Sequence, residues 1–463
     1  MGTKHHQSSA SDPITDPKKR RRVEFSKIDP GVQANECIKI YMISSKEQMD
    51  NPDSFCFQPV DLDRFFGEDG KIYGYQGLKV NIWISSVSFH VYADVSFQSK
   101  SDGGKGITDL KPALQDIFAE NLVEKKDNFL LTFSNDCDYV KSTVAKGELL
   151  QLKVPSEQQD GARSHVKSEC SDAEGQVFRV VGTMPVGQLY SRLVPLALLL
   201  VDGSSPIDIT DERWEILIMV QKEDNQLRLL GFAAYYRFYR YPDSFRLRLS
   251  QILVLPPYQH KGYGSRLLEV LYNVAICEDA YDLSIEEPLD SFQHMRICID
   301  VQRLLVFSPI EGAVNSVVLR LKQENLLKKS ETCYFGPPPS LIEDVRKSLK
   351  INKKQFLQCW EVLIYIGLDP VDKQMESFRA IVSGRIRADV LGKDSADAGK
   401  RVVDVPTDYD REMSFVMFRS QHGEASVGMD ENQPNQEEQL KPIVDERIKM
   451  VESIAQKVSP KQK

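Results

Sequence analysis

The sequence predicts a mixed α+β fold, and three observations carry that reading. From about residue 176 to 312, strand-like and helix-like segments follow one another as β-α-β-β-β-α-β-α. Residues 25–150 hold apolar runs of period two, the mark of half-buried strands. From about Ala313 the strand signals fade and helical spacing takes over. The expected domains are therefore a β-rich module over 25–150, an α/β core over 176–312 and a helical module over 313–400.

The core is organised around one stretch. An apolar strand, Arg246 to Leu255, stops at Pro256-Pro257, which cannot extend a ladder. A glycine loop follows, Gln259-His260-Lys261-Gly262-Tyr263-Gly264, and then Ser265 opens a helix with Leu267, Leu268 and Leu271 on one face. Strand, glycine loop and helix N-terminus form a pyrophosphate site, because free N–H groups and the helix dipole both favour an anion. A dinucleotide fingerprint would need Gly or Ala where Leu267 stands, and a P-loop would need Gly-Lys-Ser/Thr. Gln259-x-x-Gly262-x-Gly264 after a buried strand instead resembles the acetyl-coenzyme A motif of the GCN5-related N-acetyltransferases (GNAT). That resemblance implies a pyrophosphate held by Gln259 to Ser265. It also implies a pantetheine arm paired with the backbone at Ile252, Leu253 and Val254, where the sheet splays.

In chain order, residues 1–24 are polar and aperiodic and read as disordered; Lys18 to Arg22 within them is a nuclear-import candidate. Glu36 to Ile43, Leu78 to Ile84 and Val87 to Gln98 read as strands, and Thr108 to Leu122 as a helix capped by Thr108. Glu68-Asp69-Gly70 makes an acidic turn. A loose connection is expected over 151–175. Then come a strand at 177–181, a helix from Gly187 to Val201 and strands at 214–220 and 227–240. Beyond the central strand lie a strand ending in Glu286-Glu287-Pro288 and a helix from Asp290 to Leu305. After residue 401 the chain turns polar and is expected to be mostly disordered, with a short helix over 441–458.

Composition narrows the function classes. A chain of 463 residues with 41% hydrophobic content can bury several cores. No apolar run approaches the ~18 residues of a membrane span, and no secretory leader is legible. The eight cysteines form no C-x-x-C pair, which argues against zinc and for reduced thiols in the cytosol or nucleus. A net charge of −8 speaks against general polyanion binding and suits a basic partner.

Acyl transfer to a lysine needs a proton acceptor, since the ammonium has a pKa of about 10.4. Glu286 ends a strand beside the cofactor helix; Glu287 adjoins it and Asp202 lies upstream of Trp214. Neighbouring strand residues face opposite ways, so Glu286 and Glu287 share a site only if the chain bends there.

Taken together, several segments resemble the catalytic subunit of type B histone acetyltransferases. They are Asp211-Glu-Arg-Trp214, Tyr241-Pro242-Asp243, Ser250-Gln251-Ile-Leu-Val-Leu255, the glycine loop with Leu267-Leu268-Glu269, and Glu286-Glu287-Pro288. Phe66-Gly67-Glu-Asp69, Tyr73-Gly74-Tyr75-x-Gly77-Leu78-Lys79 and Lys350-Ile-Asn-Lys353 extend the likeness, which covers about 25 to 400. The resemblance implies acetylation of lysines near the N-terminus of newly made, non-nucleosomal histone H4 (with H3) from acetyl-CoA. It implies a WD40-repeat histone-binding chaperone as partner; no metal, no membrane and no sequence-specific nucleic-acid binding are expected, and nucleus and cytoplasm are expected from the basic run, which lies outside the likeness. It makes Glu286 the general base, with Glu287 and Asp202 supporting. It lays the histone tail along Glu68, Asp69 and Gly70, Trp214, and the strand Tyr236-Arg237-Phe238. Where Glu286-Glu287-Pro288 stands the family commonly has Glu-Asp-Pro, Asp202 replaces a Glu, and Arg237 replaces a neutral residue. A GNAT enzyme for another amine and a non-catalytic histone scaffold are the alternatives.

Overall fold

The computed structural model describes residues 29–51, 54–60, 62–67, 69–150, 175–223, 226–322, 335–368, 372–391 and 433–459. The basic run, Glu68 and nearly all of the 151–175 connection lie outside them.

The N-terminal module holds strands β1 (Ile38–Ile43), β2 (Cys56–Phe57), β3 (Lys79–Ser85) and β4 (Val91–Ser96), in the sheet order β2-β1-β3-β4. β1 and β3 run parallel from Ile38↔Val80 to Ile43↔Ser85. The period-two run at 87–98 is not one strand. Val87 to His90 form a turn, in which the Ser85 hydroxyl accepts from the Val87 and Ser88 amides and Phe89 takes φ +62°. Alternating polarity cannot register such a turn, because Ser85 and Ser88 are buried there, with the Ser88 hydroxyl donating to Thr132 and its carbonyl accepting from Arg192. Helices α1 (Leu110–Phe118), α2 (Lys126–Asn135) and α3 (Tyr139–Val144) follow. Asp109, not Thr108, caps α1, its carboxylate accepting from the Lys111 amide; the Thr108 hydroxyl accepts from Tyr73 instead.

The core sheet comprises β5 (Glu148–Leu150), β6 (Gln176–Val180), then helix α4 (Thr183–Leu200), β7 (Trp214–Glu223), β8 (Gln226–Arg240) and β9 (Ser244–Val254). Helix α5 (Tyr263–Cys277), β10 (Leu283–Ile285) and helix α6 (Asp290–Leu305) complete it. The sheet order is β10-β9-β8-β7-β6-β5, antiparallel except for β9 with β10. β5 lies inside the expected N-terminal module yet pairs with β6.

Both faces of this sheet are covered, so β7 is apolar from Ile216 to Val220 rather than alternating. Ile216, Ile218, Phe232 and Ala234 face α4 and the N-terminal module, in one continuous core. Leu217, Met219, Ala233 and Tyr235 face α5, α6 and the C-terminal helices.

Those helices are α7 (Pro309–Lys322), α8 (Pro339–Leu349), α9 (Lys353–Gly367), α10 (Asp372–Leu391) and α11 (Gln433–Val458). The last takes in the short helix expected over 441–458 and extends it back to Gln433. Its buried Leu440, Val444, Ile448, Val451 and Ala455 recur at helical spacing and join the core of α6 and α9. Arg447 donates to the buried Glu361 carboxylate at 2.9 Å and to the Gln358 carbonyl at 3.0 Å. A polar composition hid a narrow apolar stripe that packs only on a partner surface far away in sequence.

Candidate active site

The pairing of β9 with β10 ends at Leu249↔Ile285, but β9 runs on to Val254. Beyond Leu249 the strands part, and the edge of β9 from Ser250 to Val254 forms one wall of a cavity of about 800 Å³. The other walls are the loop 202–208, the glycine loop, Ile285 to Leu289, and Ser291, Phe292 and Met295 of α6. This volume suits an extended small-molecule ligand.

The glycine loop is shaped by its backbone. A short 3₁₀ turn, Pro256–Tyr258, ends β9, and the Gln259 side-chain amide donates to the Val254 carbonyl at 2.9 Å. That bond closes the loop back on its own strand. Gly262 then takes a left-handed conformation (φ +85°) as the residue before α5. A Cβ at Gly264 would meet Met295 Sδ at 3.6 Å and Val254 Cγ2 at 3.8 Å, both ordinary contact distances.

The cavity gathers most of the residues named from sequence. Ile252, Leu253, Val254, Gln259, His260, Gly262, Tyr263, Gly264 and Ser265 line it, and so do Asp202, Trp214, Glu286 and Glu287. Lys261 is not in the wall; its ammonium stands 5.8 Å from the Tyr258 ring centre. Glu286 and Glu287 reach one cavity because the chain does bend: β10 stops at Ile285 and Glu287 takes φ +33°. The Glu286 amide donates to the Leu249 carbonyl at 3.0 Å. One Glu286 carboxylate oxygen accepts from the Ser250 hydroxyl, and the other lies 4.0 Å from the Arg248 guanidinium.

The remaining tail-contacting candidates fall differently. Trp214, Tyr236 and Phe238 form an aromatic strip leading away from the cavity, with ring centres 5.0 and 4.5 Å apart. Burial and the Asp211 carboxylate push the Tyr236 hydroxyl up to about 12. Arg237, expected beside the tail, is not on this strip. Strand alternation turns it to the other face of β8, where Glu215 and Glu278 both accept from its guanidinium. Arg179 joins the same cluster, donating to Glu215 at 2.8 Å. Burial alone would raise the Glu215 carboxyl; the bonds from Arg237, Tyr235 and Arg179 outweigh it and hold the group below its usual value. Arg237 is thus part of the core's charge balance. Asp69 and Gly70 sit in the N-terminal module outside the cavity wall; the Tyr73 hydroxyl donates to Asp69.

Sequence reading gave no role to Ser250, Asp208, Phe292 or Met295, all in the wall. Gln251 is also there; its side-chain amide donates to the Ser205 carbonyl at 2.6 Å and so ties the Asp202 loop to β9. No residue pattern marks these positions, because the bulge and the loop contacts that expose them are tertiary.

An extended ligand with amides and a pyrophosphate fits what is present. The β9 edge has no strand partner past Leu249, Gln251 Oε1 is buried without a partner among the described residues, and a 15-residue helix starts at the glycine loop.

Fold and site together define an acetyltransferase of the GNAT class: residues 200–290 match the Acetyltransferase (GNAT) family model. Residues 30–202 match the model described as Histone acetyl transferase HAT1 N-terminus. The chain belongs to the family of type B histone acetyltransferase catalytic subunits. It is 53% identical over 461 residues to the one from Arabidopsis thaliana, covering 98% of this chain and 97% of that protein. Identity to the Zea mays subunit is 46% over 469 residues, 99% of this chain and 97% of that one. The Rattus norvegicus subunit is 23% identical over 431 residues, 91% of this chain and 93% of that one. The protein is therefore a histone acetyltransferase.

Proposed function

We propose that this enzyme transfers acetyl from acetyl-CoA to lysine ε-amines on the N-terminal tail of newly synthesised, non-nucleosomal histone H4, by direct attack in a ternary complex. The observation that carries the substrate class is the charge of the cavity wall. Asp202, Asp208, Glu286 and Glu287 line it, and among the described residues no Lys or Arg does, Arg248 standing just behind Glu286 at 4.0 Å. Four carboxylates in one cavity wall attract a Lys/Arg-rich peptide, and the partly exposed rings of Trp214 and Phe238 add apolar surface for aliphatic stems.

Acetyl-CoA, when bound, supplies the reactive thioester. The β9 edge at Ile252 to Val254 orients its amide arm, and Gln259 to Ser265 take the pyrophosphate at the start of α5. Glu286 accepts the proton of the attacking amine, directly or through one water. The lysine nitrogen bonds the carbonyl carbon, the carbon–sulfur bond breaks, and the thiolate leaves with that electron pair.

The reading extends to a WD40-repeat histone-binding chaperone as partner, and to work in both cytoplasm and nucleus with Lys18 to Arg22 as import signal. Co-purification from cells and fractionation of a variant lacking residues 18–22 test these two parts. The substrate itself is tested by incubating the enzyme with acetyl-CoA and either free core histones or nucleosomes, then mapping acetylated sites by mass spectrometry. The expected result is modification of H4 tail lysines in free histones and little in nucleosomes. Equal labelling of both, or none of H4, would overturn the reading.

A further inference from the structure

We propose that Ser250 is a positioning residue for Glu286, presented by a bulge in β9; this rests on the assignment of Glu286 as the base. The β8–β9 ladder pairs Ala234 with Gln251 and Tyr235 with Leu249. Ser250 is therefore an extra residue, with no partner of its own across the ladder. A bulge breaks the regular alternation and re-aims the side chain it carries. Here the hydroxyl donates to Glu286 Oε2, at the lip of the cavity.

The location along the strand matters equally. Leu249 makes the last pair with β10, and its carbonyl accepts from the Glu286 amide. Ser250 is the next residue, where the two strands part. Glu286 is thus held at both ends: its backbone by Leu249, its carboxylate by Ser250. It needs the second tether. Its side chain is 49% exposed, so packing does not fix its rotamer. Arg248 also stands 4.0 Å from Oε1, beyond hydrogen-bond range but near enough to compete for a free carboxylate. With Oε2 bound by Ser250, Oε1 is left to accept the amine proton.

The test is a double-mutant cycle on the full-length chain, with acetyl-CoA and an H4 tail peptide. Ser250→Ala is expected to lower kcat by about tenfold to a hundredfold, the scale of a hydrogen bond to a charged group. KM for acetyl-CoA should change less than about twofold, and Ser250→Thr, which keeps the hydroxyl, should restore most of the rate. On a Glu286→Gln background, adding Ser250→Ala should cost less than about twofold, because the two residues act as one unit. Two results would overturn the proposal while leaving the base in place: full additivity of the two losses, or a Ser250→Ala variant whose KM for acetyl-CoA rises with kcat intact. If Glu286→Gln alone keeps its kcat, the base assignment fails first, and this inference with it.

Discussion

Glu286→Gln is expected to lower kcat by about 10²–10⁴-fold, while acetyl-CoA binding stays near that of the parent enzyme. The substitution keeps the shape of the side chain and its place at the end of β10 but removes the proton acceptor. Below about 0.1% of free lysine is neutral at pH 7, so the loss falls on the chemical step. The residual rate should climb with pH as solvent deprotonates the amine. Asp202→Asn and Glu287→Gln should each cost less. Both line the same cavity, but only Glu286 is held by Ser250 and by the Leu249 carbonyl. Steady-state kinetics of the three variants, with calorimetric titration of acetyl-CoA, decides the matter. A normal kcat in Glu286→Gln with a collapsed one in Asp202→Asn moves the base to the opposite wall. Three mild single variants would mean that the carboxylates share the proton through water.

Gly264→Glu should raise the dissociation constant for acetyl-CoA by about a hundredfold or more, since it sets a negative charge within a few ångströms of the pyrophosphate site. Gly264 is a cleaner probe than Gly262. A Cβ there makes only ordinary contacts with Met295 and Val254, whereas Gly262 has φ +85° and any side chain strains it. The Gly264 variant should therefore fold, as circular dichroism would show. A folded variant with unchanged affinity would remove the phosphate role from this loop.

The strand–loop–helix stretch was legible because its signals are local: prolines that stop a ladder, glycines in a turn, leucines on one helix face. The splay was legible only by resemblance, and the structure supplies its cause, a β10 that stops at Ile285 while β9 runs on to Val254. Three features depend on contacts distant in sequence, and polarity patterns show them partly or not at all. Arg237 reads as a substrate neighbour in the sequence because nothing local shows Glu215 and Glu278 on the other face of its strand. Ser250 carries no signal of its position, because a one-residue bulge leaves no mark on polarity. The helix Gln433–Val458 begins eight residues ahead of the short helix expected over 441–458, because Gln433 to Gln439 is polar throughout and carries no apolar period. The bend at Glu287 was foreseen as a condition rather than a fact, and the positive φ there meets it.

On the proposed mechanism the parting of β9 and β10 brings acetyl-CoA, acceptor lysine and Glu286 to one point. A crystal structure of the enzyme with acetyl-CoA and an H4 tail peptide measures this directly. The expected result has the pantetheine amides bonded to β9 beyond Leu249 and the pyrophosphate against Gly262 to Ser265. The lysine nitrogen should lie within hydrogen-bond reach of Glu286 or one water away. A cofactor bound elsewhere, or an acceptor nitrogen beyond that reach with both ligands in place, would contradict it.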